Sequence, residues 1–250
     1  MRRLLTAACA IAALAACSPK APTEKTATNT TTTTTTTTTA AAPTPAPVGG
    51  EPIVPGQPGQ TSAPAGTYTL DPHHSTLVFR LSHLGFSHYR AQFAKMEGQL
   101  TFDPKQPQAM SVTATIDPKS LELPAPPAGF KEALLGKDWL DAAAYPQITF
   151  RSTKVDLTGA NSARVTGDLT LHGVTKPVIL DLTFNGGYAA NAFDGARIGF
   201  SGHGAFRRSD FGISYGMPAP GTNMGVGDQV DFTLETEWNN GKPTGPAPAQ

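Results

Sequence analysis

Between Val165 and Phe184 the chain alternates apolar and polar side chains in two runs separated by a short break. A period of two is expected of a β-strand with one buried face, because successive side chains point to opposite sides of the sheet. The break, Gly173 to Pro177, contains a glycine that tolerates the positive φ of a tight turn and a proline that suits the start of a strand. The stretch therefore predicts a β-hairpin with one apolar face.

The same alternation recurs in both directions along the chain and predicts six more strands, at 77–82, 93–102, 111–116, 148–152, 196–206 and 230–238. With the two strands of the hairpin the total is eight, and turn residues separate them. Such a pattern is typical of a closed antiparallel barrel or a β-sandwich. One short helix is predicted from about Pro127 to Leu135, where Gly136 ends it. The chain is therefore expected to be all-β.

The composition limits the kinds of function that remain. Charged residues are 15% of the chain and the formal net charge is zero, which argues against a nucleic-acid-binding protein because such proteins concentrate basic charge. The 25 glycines and 23 prolines indicate that a large part of the chain is not packed core. Apart from the N-terminus, no window approaches the roughly 20 apolar residues that span a bilayer.

The N-terminus has the features of a signal peptide. Arg2 and Arg3 precede an apolar run from Leu4 to Ala16, and the run ends in Leu-Ala-Ala-Cys. This ending resembles the lipobox of bacterial lipoproteins, and the resemblance implies cleavage after residue 16 and acylation of Cys17. Ser18 resembles the class sorted to the outer membrane, so an envelope lipoprotein anchored there and facing the periplasm is expected. The alternative is an ordinary secretory signal with an incidental cysteine.

Composition divides the remainder of the chain into three parts. Residues 17–66 are dominated by threonine, proline and alanine, and such a segment lacks the apolar side chains needed to offset the entropy of folding. We therefore predict a disordered tether that links the acylated cysteine to a domain at residues 67–238. Residues 239–250 have the same character as the tether and are predicted to be a disordered tail.

An eight-stranded barrel leaves two possibilities for its interior. Its width is enough either to be filled by side chains or to hold one small ligand. A filled interior would make this a structural or protein-interaction domain, whereas an open apolar interior would suit an elongated apolar molecule. The residue pattern alone leaves both alternatives open.

Five motifs, in order and spread across the whole predicted domain, resemble those of the YceI-like polyisoprenoid-binding family: YTLDPHHSTLVFRLSH at 68–83, GQLTF at 98–102, YPQITF at 145–150, GDLTLHGVTKPV at 167–178 and RSDFG at 208–212. The resemblance implies a lipocalin-like barrel of eight antiparallel strands that carries an isoprenoid lipid, of the quinone or polyprenyl type, in its interior. It implies no enzymatic activity and no cofactor besides this lipid. It also implies a homodimer as one possible assembly.

If the interior is open, the alternation identifies the side chains that face it. On this basis we predict a ligand-contacting wall made of Phe79, Leu81, Phe102, Phe150, Leu169, Leu180, Leu182, Phe200, Phe232 and Leu234, with Phe130 and Leu134 of the helix near one end. If the alternation slips by one residue at a β-bulge, the side chains assigned to the inside of that strand point outside instead.

Two features suggest how one end of the barrel works. Arg208 and Asp210 are candidate contacts for a polar head group, and the alternative is a loop salt bridge between Asp210 and the Arg207-Arg208 pair. The glycine-rich loop from Ser209 to Gly227 carries several apolar side chains and is a candidate lid, with a loop folded onto the barrel end as the alternative.

Two other motifs point to chemistry that we do not expect here. Gly212-Ile213-Ser214-Tyr215-Gly216 matches the G-x-S-x-G nucleophile elbow, but that motif needs a strand-to-helix turn and a later histidine, and none follows His203. His73, His74, His83 and His88 lie close in sequence without a cysteine or carboxylate at zinc-ligand spacing. We therefore predict neither catalytic residues nor a metal site.

Overall fold

The computed structural model describes residues 60–192 and 194–241, and these contain eleven β-segments and one α-helix. The segments are β1 (Gly66–Leu70), β2 (Thr76–His83), β3 (Ser87–Phe93), β4 (Met96–Phe102), β5 (Ser111–Ile116), β6 (Leu121–Glu122), β7 (Ile148–Leu157), β8 (Ser162–Leu171), β9 (Val174–Tyr188), β10 (Arg197–Arg207) and β11 (Val226–Asn239). The helix α1 is Phe130–Leu135.

Six of these segments are halves of three bent strands. β1 pairs with β4 and β2 pairs with β3, so β1–β2 and β3–β4 are two neighbouring barrel strands. On the other side of β3–β4, β4 pairs with β5 and β3 pairs with β6, so β5–β6 is the third barrel strand. With β7 to β11 they make eight antiparallel strands in a simple up-and-down order, and β11 closes the barrel by pairing with both β1 and β2. The predicted eight-stranded antiparallel barrel with one short helix is confirmed.

The central hairpin forms as predicted, with a tighter turn than expected. Leu171 pairs with Val174, so His172 and Gly173 alone make the turn, with φ values of 52° and 72°. Such left-handed pairs are the turns that suit the twist of a two-residue hairpin. Pro177 lies inside β9 and not at its start, but the pairing of β9 with β10 ends at Leu180, so this proline sits where its missing N–H removes no bond to β10.

Two buried clusters close the barrel at its ends. The helix end, where α1 and the loop after β10 lie, has a core around Leu121, Leu171 and Phe211. The far end has a core around Tyr68 and Ile198. Between these clusters several inward side chains, among them Phe150, Leu169 and Leu182, are only half-buried.

The structure describes residues on both sides of the two predicted boundaries of the barrel domain, at residues 66/67 and 238/239. Ala63, assigned to the tether, is buried at the far end, and the hydroxyl of Tyr68 donates to the carbonyl of Pro64. Asn239, assigned to the tail, is the last residue of β11, and the N–H of Asn240 donates to the carbonyl of Ala196. The signal peptide, Cys17 and most of the tether and tail lie outside the described residues, and the domain boundaries stay predictions. Within the described part, no helix is both long and apolar enough to cross a membrane.

Candidate functional site: an apolar lumen

A cavity of about 760 Å³ runs through the barrel from Trp139 at the helix end to Asn161 at the far end. Inward-facing side chains of the strands line it, and most are aliphatic or aromatic. Its polar lining residues are few: Thr61, Ser82, His83, Ser111, Ser152, Asn161, Ser162, Arg208 and Thr236. The volume lies within the range of about 300–1,000 Å³ that small-molecule sites occupy.

The burial pattern shows that the middle of the barrel is not filled by side chains. Phe150, Leu169 and Leu182 point inward and line the cavity, yet they are only half-buried. Phe211 and Tyr68 belong to the two end clusters, and each is only 1% exposed. Because the central side chains face the inside of a closed barrel, the surface they retain faces the lumen. The alternative of a barrel interior filled by side chains therefore does not describe this structure.

All twelve side chains predicted to form the wall line this cavity: Phe79, Leu81, Phe102, Phe130, Leu134, Phe150, Leu169, Leu180, Leu182, Phe200, Phe232 and Leu234. Whether they contact a ligand stays a prediction. The sequence-based set missed Leu77 and Trp238, which follow the same alternation, and Trp139, which comes from the irregular segment after α1 and carries no periodic signal.

Arg208 lies in the lumen wall at the helix end and is 2% exposed. Its guanidinium donates four hydrogen bonds of 2.8–3.2 Å to the backbone carbonyls of Ile213, Tyr215, Val226 and Gly227. A guanidinium has five N–H donors, so one donor has no bond to these carbonyls. The charged group also stands over the ring of Trp139, 5.0 Å from its centroid.

Arg208 is a buried cation that has no carboxylate within ion-pair distance among the described residues. Burial lowers the pKa of its guanidinium, and the charge of Asp228 partly opposes that shift. No ion pair joins Asp210 to Arg207 or Arg208 in the described chain, so the salt bridge considered above is absent there. Asp210 is exposed and lines a separate pocket of about 360 Å³ beside Lys176 and Arg207, so it does not stand with Arg208 in the lumen wall.

The loop between β10 and β11 is folded onto the helix end. Phe211 and Ile213 are buried within it, and Tyr215 packs edge-on against Trp139 with ring centroids 5.8 Å apart. Ile213 and Val226 also line the lumen. The arrangement matches the alternative of a loop packed on the barrel end, and the idea that it opens as a lid stays a prediction.

The G-x-S-x-G motif lies in this same loop. Ser214 is exposed, and the residues around it form turns and not the strand-turn-helix that a nucleophile elbow requires. No feature of the described loop therefore supports a hydrolase site there.

The histidines considered for zinc do not converge. His83 lines the lumen, whereas the Nδ1 atom of His74 lies 2.9 Å from a carboxylate oxygen of Asp71. Asp71, His74 and Glu237 place one ligand atom each within 4.8 Å of one another. Arg197 donates to both carboxylates, at 2.7 Å and 2.9 Å, so its charge already occupies the position that a cation would need. We interpret the group as an ion-pair network.

Comparisons with known proteins agree with this geometry. A family model described as the YceI-like domain matches residues 68–238. A UPF0312 protein of Pseudomonas syringae pv. tomato is 38% identical over 175 residues, which are 69% of this chain and 87% of that relative. The UPF0312 protein VC_A0539 of Vibrio cholerae is 34% identical over 178 residues, which are 70% of this chain and 88% of that relative.

Two solved structures share the fold. The crystal structure of BcnA from Burkholderia cenocepacia aligns with a TM-score of 0.56 and 28% identity, covering 67% of this chain and 98% of that one. A domain of Saccharophagus degradans, described as polyisoprenoid binding and implicated in plant cell wall breakdown, aligns with a TM-score of 0.50 and 16% identity, covering 69% and 97%.

Proposed function

This chain belongs to the YceI-like domain family, and from that premise we propose that it binds one elongated isoprenoid lipid, of the quinone or polyprenyl type, in its lumen. The lipid is carried or stored in the bacterial cell envelope, and the protein performs no chemistry on it. The observation that carries this proposal is the apolar cavity of about 760 Å³ inside a closed barrel. The neighbour described as a polyisoprenoid-binding domain shares the fold, which is consistent with it.

The size of the lumen argues against a purely structural role. Cavities in protein cores destabilise by about 24 cal/mol per Å³ relative to a packed interior. A lumen of about 760 Å³ would then forgo roughly 18 kcal/mol, more than the 5–15 kcal/mol net stability of an ordinary domain. A barrel that served only as a scaffold would be expected to fill this space with larger side chains.

The same volume indicates how much chain fits inside. An engineered apolar cavity of about 150 Å³ holds benzene, which corresponds to roughly 25 Å³ for each carbon atom. On that scale the lumen takes roughly 30 carbon atoms, or about six isoprene units. Because burying one CH₂ group contributes about 0.8 kcal/mol, the tail supplies ample driving force without any charged contact.

We place the polar head of the lipid at the helix end. Arg208 brings a buried positive charge to the lumen wall there, and one of its N–H donors is not used by the four backbone carbonyls. A quinone carbonyl or a phosphate oxygen is an acceptor that such a donor suits. The tail then extends toward Asn161 at the far end.

The two tryptophans provide the test, because both residues of this type in the chain, Trp139 and Trp238, line the lumen. We expect ubiquinone-2, a quinone whose tail consists of two isoprene units, to quench the fluorescence of the delipidated full-length chain saturably. We also expect organic extract of the protein as purified to contain an isoprenoid at near-equal stoichiometry. An extract without lipid, together with unchanged fluorescence on adding the quinone, would favour the structural alternative.

Single-tryptophan variants report the orientation of the lipid. With the head at the helix end, Trp238→Phe, which retains Trp139, is expected to be quenched strongly by the quinone ring. Trp139→Phe, which retains Trp238, is expected to be quenched weakly. The opposite ranking would place the head at the far end and remove Arg208 from the proposed contact.

We further propose that Cys17 is acylated and anchors the protein in the outer membrane, facing the periplasm. Metabolic labelling with an alkyne fatty acid is expected to label the wild-type chain and the Cys9→Ser variant, since residue 9 lies in the removed peptide. Cys17→Ser is expected to lose the label. Retention of label by Cys17→Ser would refute the anchor. The homodimer stays a prediction, which size-exclusion chromatography would test.

A further inference from the structure

Gly202 faces the inside of the barrel, but its neighbours and not Gly202 itself line the lumen. It lies in the middle of β10 on the inward-facing phase, between Phe200 and Phe206, which both line the cavity. Across the sheet it pairs with Leu182 on β9 and with Leu234 on β11, and both of these leucines also line the cavity. The row Leu182–Gly202–Leu234 therefore has a gap at its centre where the two neighbouring positions carry large side chains.

The side chain of Leu182 leans into that gap. A Cβ atom on Gly202 would lie 2.3 Å from Cδ2 of Leu182 and 3.2 Å from Cδ1 of Leu234. The nearest atoms are thus the ends of two flexible side chains. Two other inward glycines differ, because a Cβ on Gly167 or on Gly204 would also meet a backbone carbonyl oxygen at 2.6 Å. At Gly167 and Gly204 a side chain would clash with the backbone of a neighbouring strand. At Gly202 a side chain would instead meet the side chains of Leu182 and Leu234, which line the lumen.

We propose that Gly202 sets the width of the lumen at its midpoint and thereby makes room for a methyl-branched chain. This inference rests on the proposed binding of an isoprenoid. Leu182 occupies the space that any other residue at position 202 would fill, so its methyl groups lie against the wall and leave the axis open. A polyprenyl chain carries a methyl branch on every unit and needs a wider channel than a polymethylene chain does.

The test compares two alcohols, geranylgeraniol as the branched probe and hexadecanol as the unbranched one, by tryptophan fluorescence of the delipidated full-length chain. In Gly202→Ala the new methyl group displaces Leu182 toward the axis. We expect affinity for geranylgeraniol to fall by about tenfold or more, as one misplaced methyl group does in a tight apolar pocket. Affinity for hexadecanol is expected to change by less than about threefold, which also shows that the variant is folded.

A double variant distinguishes an effect on the width of the lumen from general damage to the fold. Gly202→Ala combined with Leu182→Ala removes the displaced side chain and is expected to recover geranylgeraniol binding. Gly199→Ala is the matched control, since it lies on the same strand facing outward and its Cβ would meet nothing closer than 3.7 Å. It is expected to bind both alcohols as the wild type does.

The outcomes distinguish this inference from the function on which it rests. If the wild type binds geranylgeraniol and Gly202→Ala binds it equally well, the inference is wrong and the proposed function stands. Equal loss of both alcohols, or a double variant that recovers nothing, also overturns it. A wild-type chain that binds neither alcohol overturns the proposed function together with the inference.

Discussion

Replacing Arg197 by methionine is expected to lower the free energy of unfolding by about 3 kcal/mol, the scale for leaving a buried charge without its partner. Arg197 donates hydrogen bonds to Asp71, Asp194 and Glu237, and the Asp71 side chain is 8% exposed. Methionine retains an apolar stem of similar length, so the loss is mainly that of the charge. The change is measured as a shift of the urea midpoint with an unchanged slope.

The position of this network explains why the effect should be large. β11 pairs with β1 only at Thr69 and Leu70, and its pairing with β2 resumes at Thr76. The intervening residues 71–75 interrupt the first barrel strand at the seam where the barrel closes. Asp71, Arg197 and Glu237 join the first, seventh and eighth barrel strands across that interruption.

The pH dependence of stability gives an independent signature. Burial alone would raise the pKa of Asp71, but hydrogen bonds from His74, Arg197 and the backbone of His73 outweigh it and hold that pKa well below its ordinary value. A depressed pKa stabilises the fold above the unfolded-state value of about 3.9, and this stabilisation is lost as the pH falls further. We therefore expect stability to decline below about pH 5, with a shallower slope in Arg197→Met.

An exposed ion pair supplies the control. Arg164 and Asp181 pair at 3.1 Å with side chains that are 53% and 44% exposed. Because solvent screens such pairs, Arg164→Met is expected to cost less than about 1 kcal/mol. If Arg197→Met costs no more than Arg164→Met, the network does not hold the seam.

Much of the barrel is predictable because alternation is a local signal. The strands are antiparallel neighbours in chain order, so the apolar phase of each strand indicates which side chains face the lumen. Where the alternation of inward and outward side chains shifts by one residue, no local sequence feature indicates the shift. Inward residues on β3 have odd numbers and those on β4 have even numbers, with the slip near Ala94, and the pairing of β7 shifts between Ser152 and Lys154.

The long-range polar contacts of the barrel are not predictable in this way. Arg197 and Asp71 are 126 residues apart, and no local pattern relates them. Arg208 and Asp210 are two residues apart in sequence, which suggests a shared role, but the 3₁₀ turn at Arg208–Phe211 directs one side chain into the lumen wall and leaves the other exposed. Charge spacing alone does not show which loop carbonyls an arginine will bind.

Replacing Arg208 by methionine is expected to have the second large effect, on both stability and lipid retention. The substitution removes the donor from four backbone carbonyls, those of Ile213 and Tyr215 in the loop and those of Val226 and Gly227 at the start of β11. A buried acceptor left unpaired costs about 1–3 kcal/mol unless water reaches it. We expect water to reach some of these carbonyls in the variant, so the expected net loss is about 3 kcal/mol, together with faster amide exchange in residues 212–227. Hydrogen-exchange mass spectrometry measures the exchange.

The adjacent Arg207→Met is the matched control, because that side chain is exposed and makes no ion pair among the described residues. It should leave exchange and lipid release unchanged. Arg208→Lys keeps the charge but cannot reproduce the planar fork that binds several carbonyls at once, so it should release lipid nearly as fast as Arg208→Met. Retention restored by lysine would instead assign the role of Arg208 to charge at the head group.

If the proposed lipid binds in the lumen, we expect loop order and lipid retention to be coupled through the same side chains. Ile213 and Val226 line the lumen, and the carbonyls of these two residues are among the acceptors of Arg208. When the loop opens, the helix end loses part of its apolar wall, so the rate of lipid release should rise with the rate of amide exchange across this set of variants. Fast exchange with unchanged lipid release would show that the lipid leaves by another route and that this loop is not its lid.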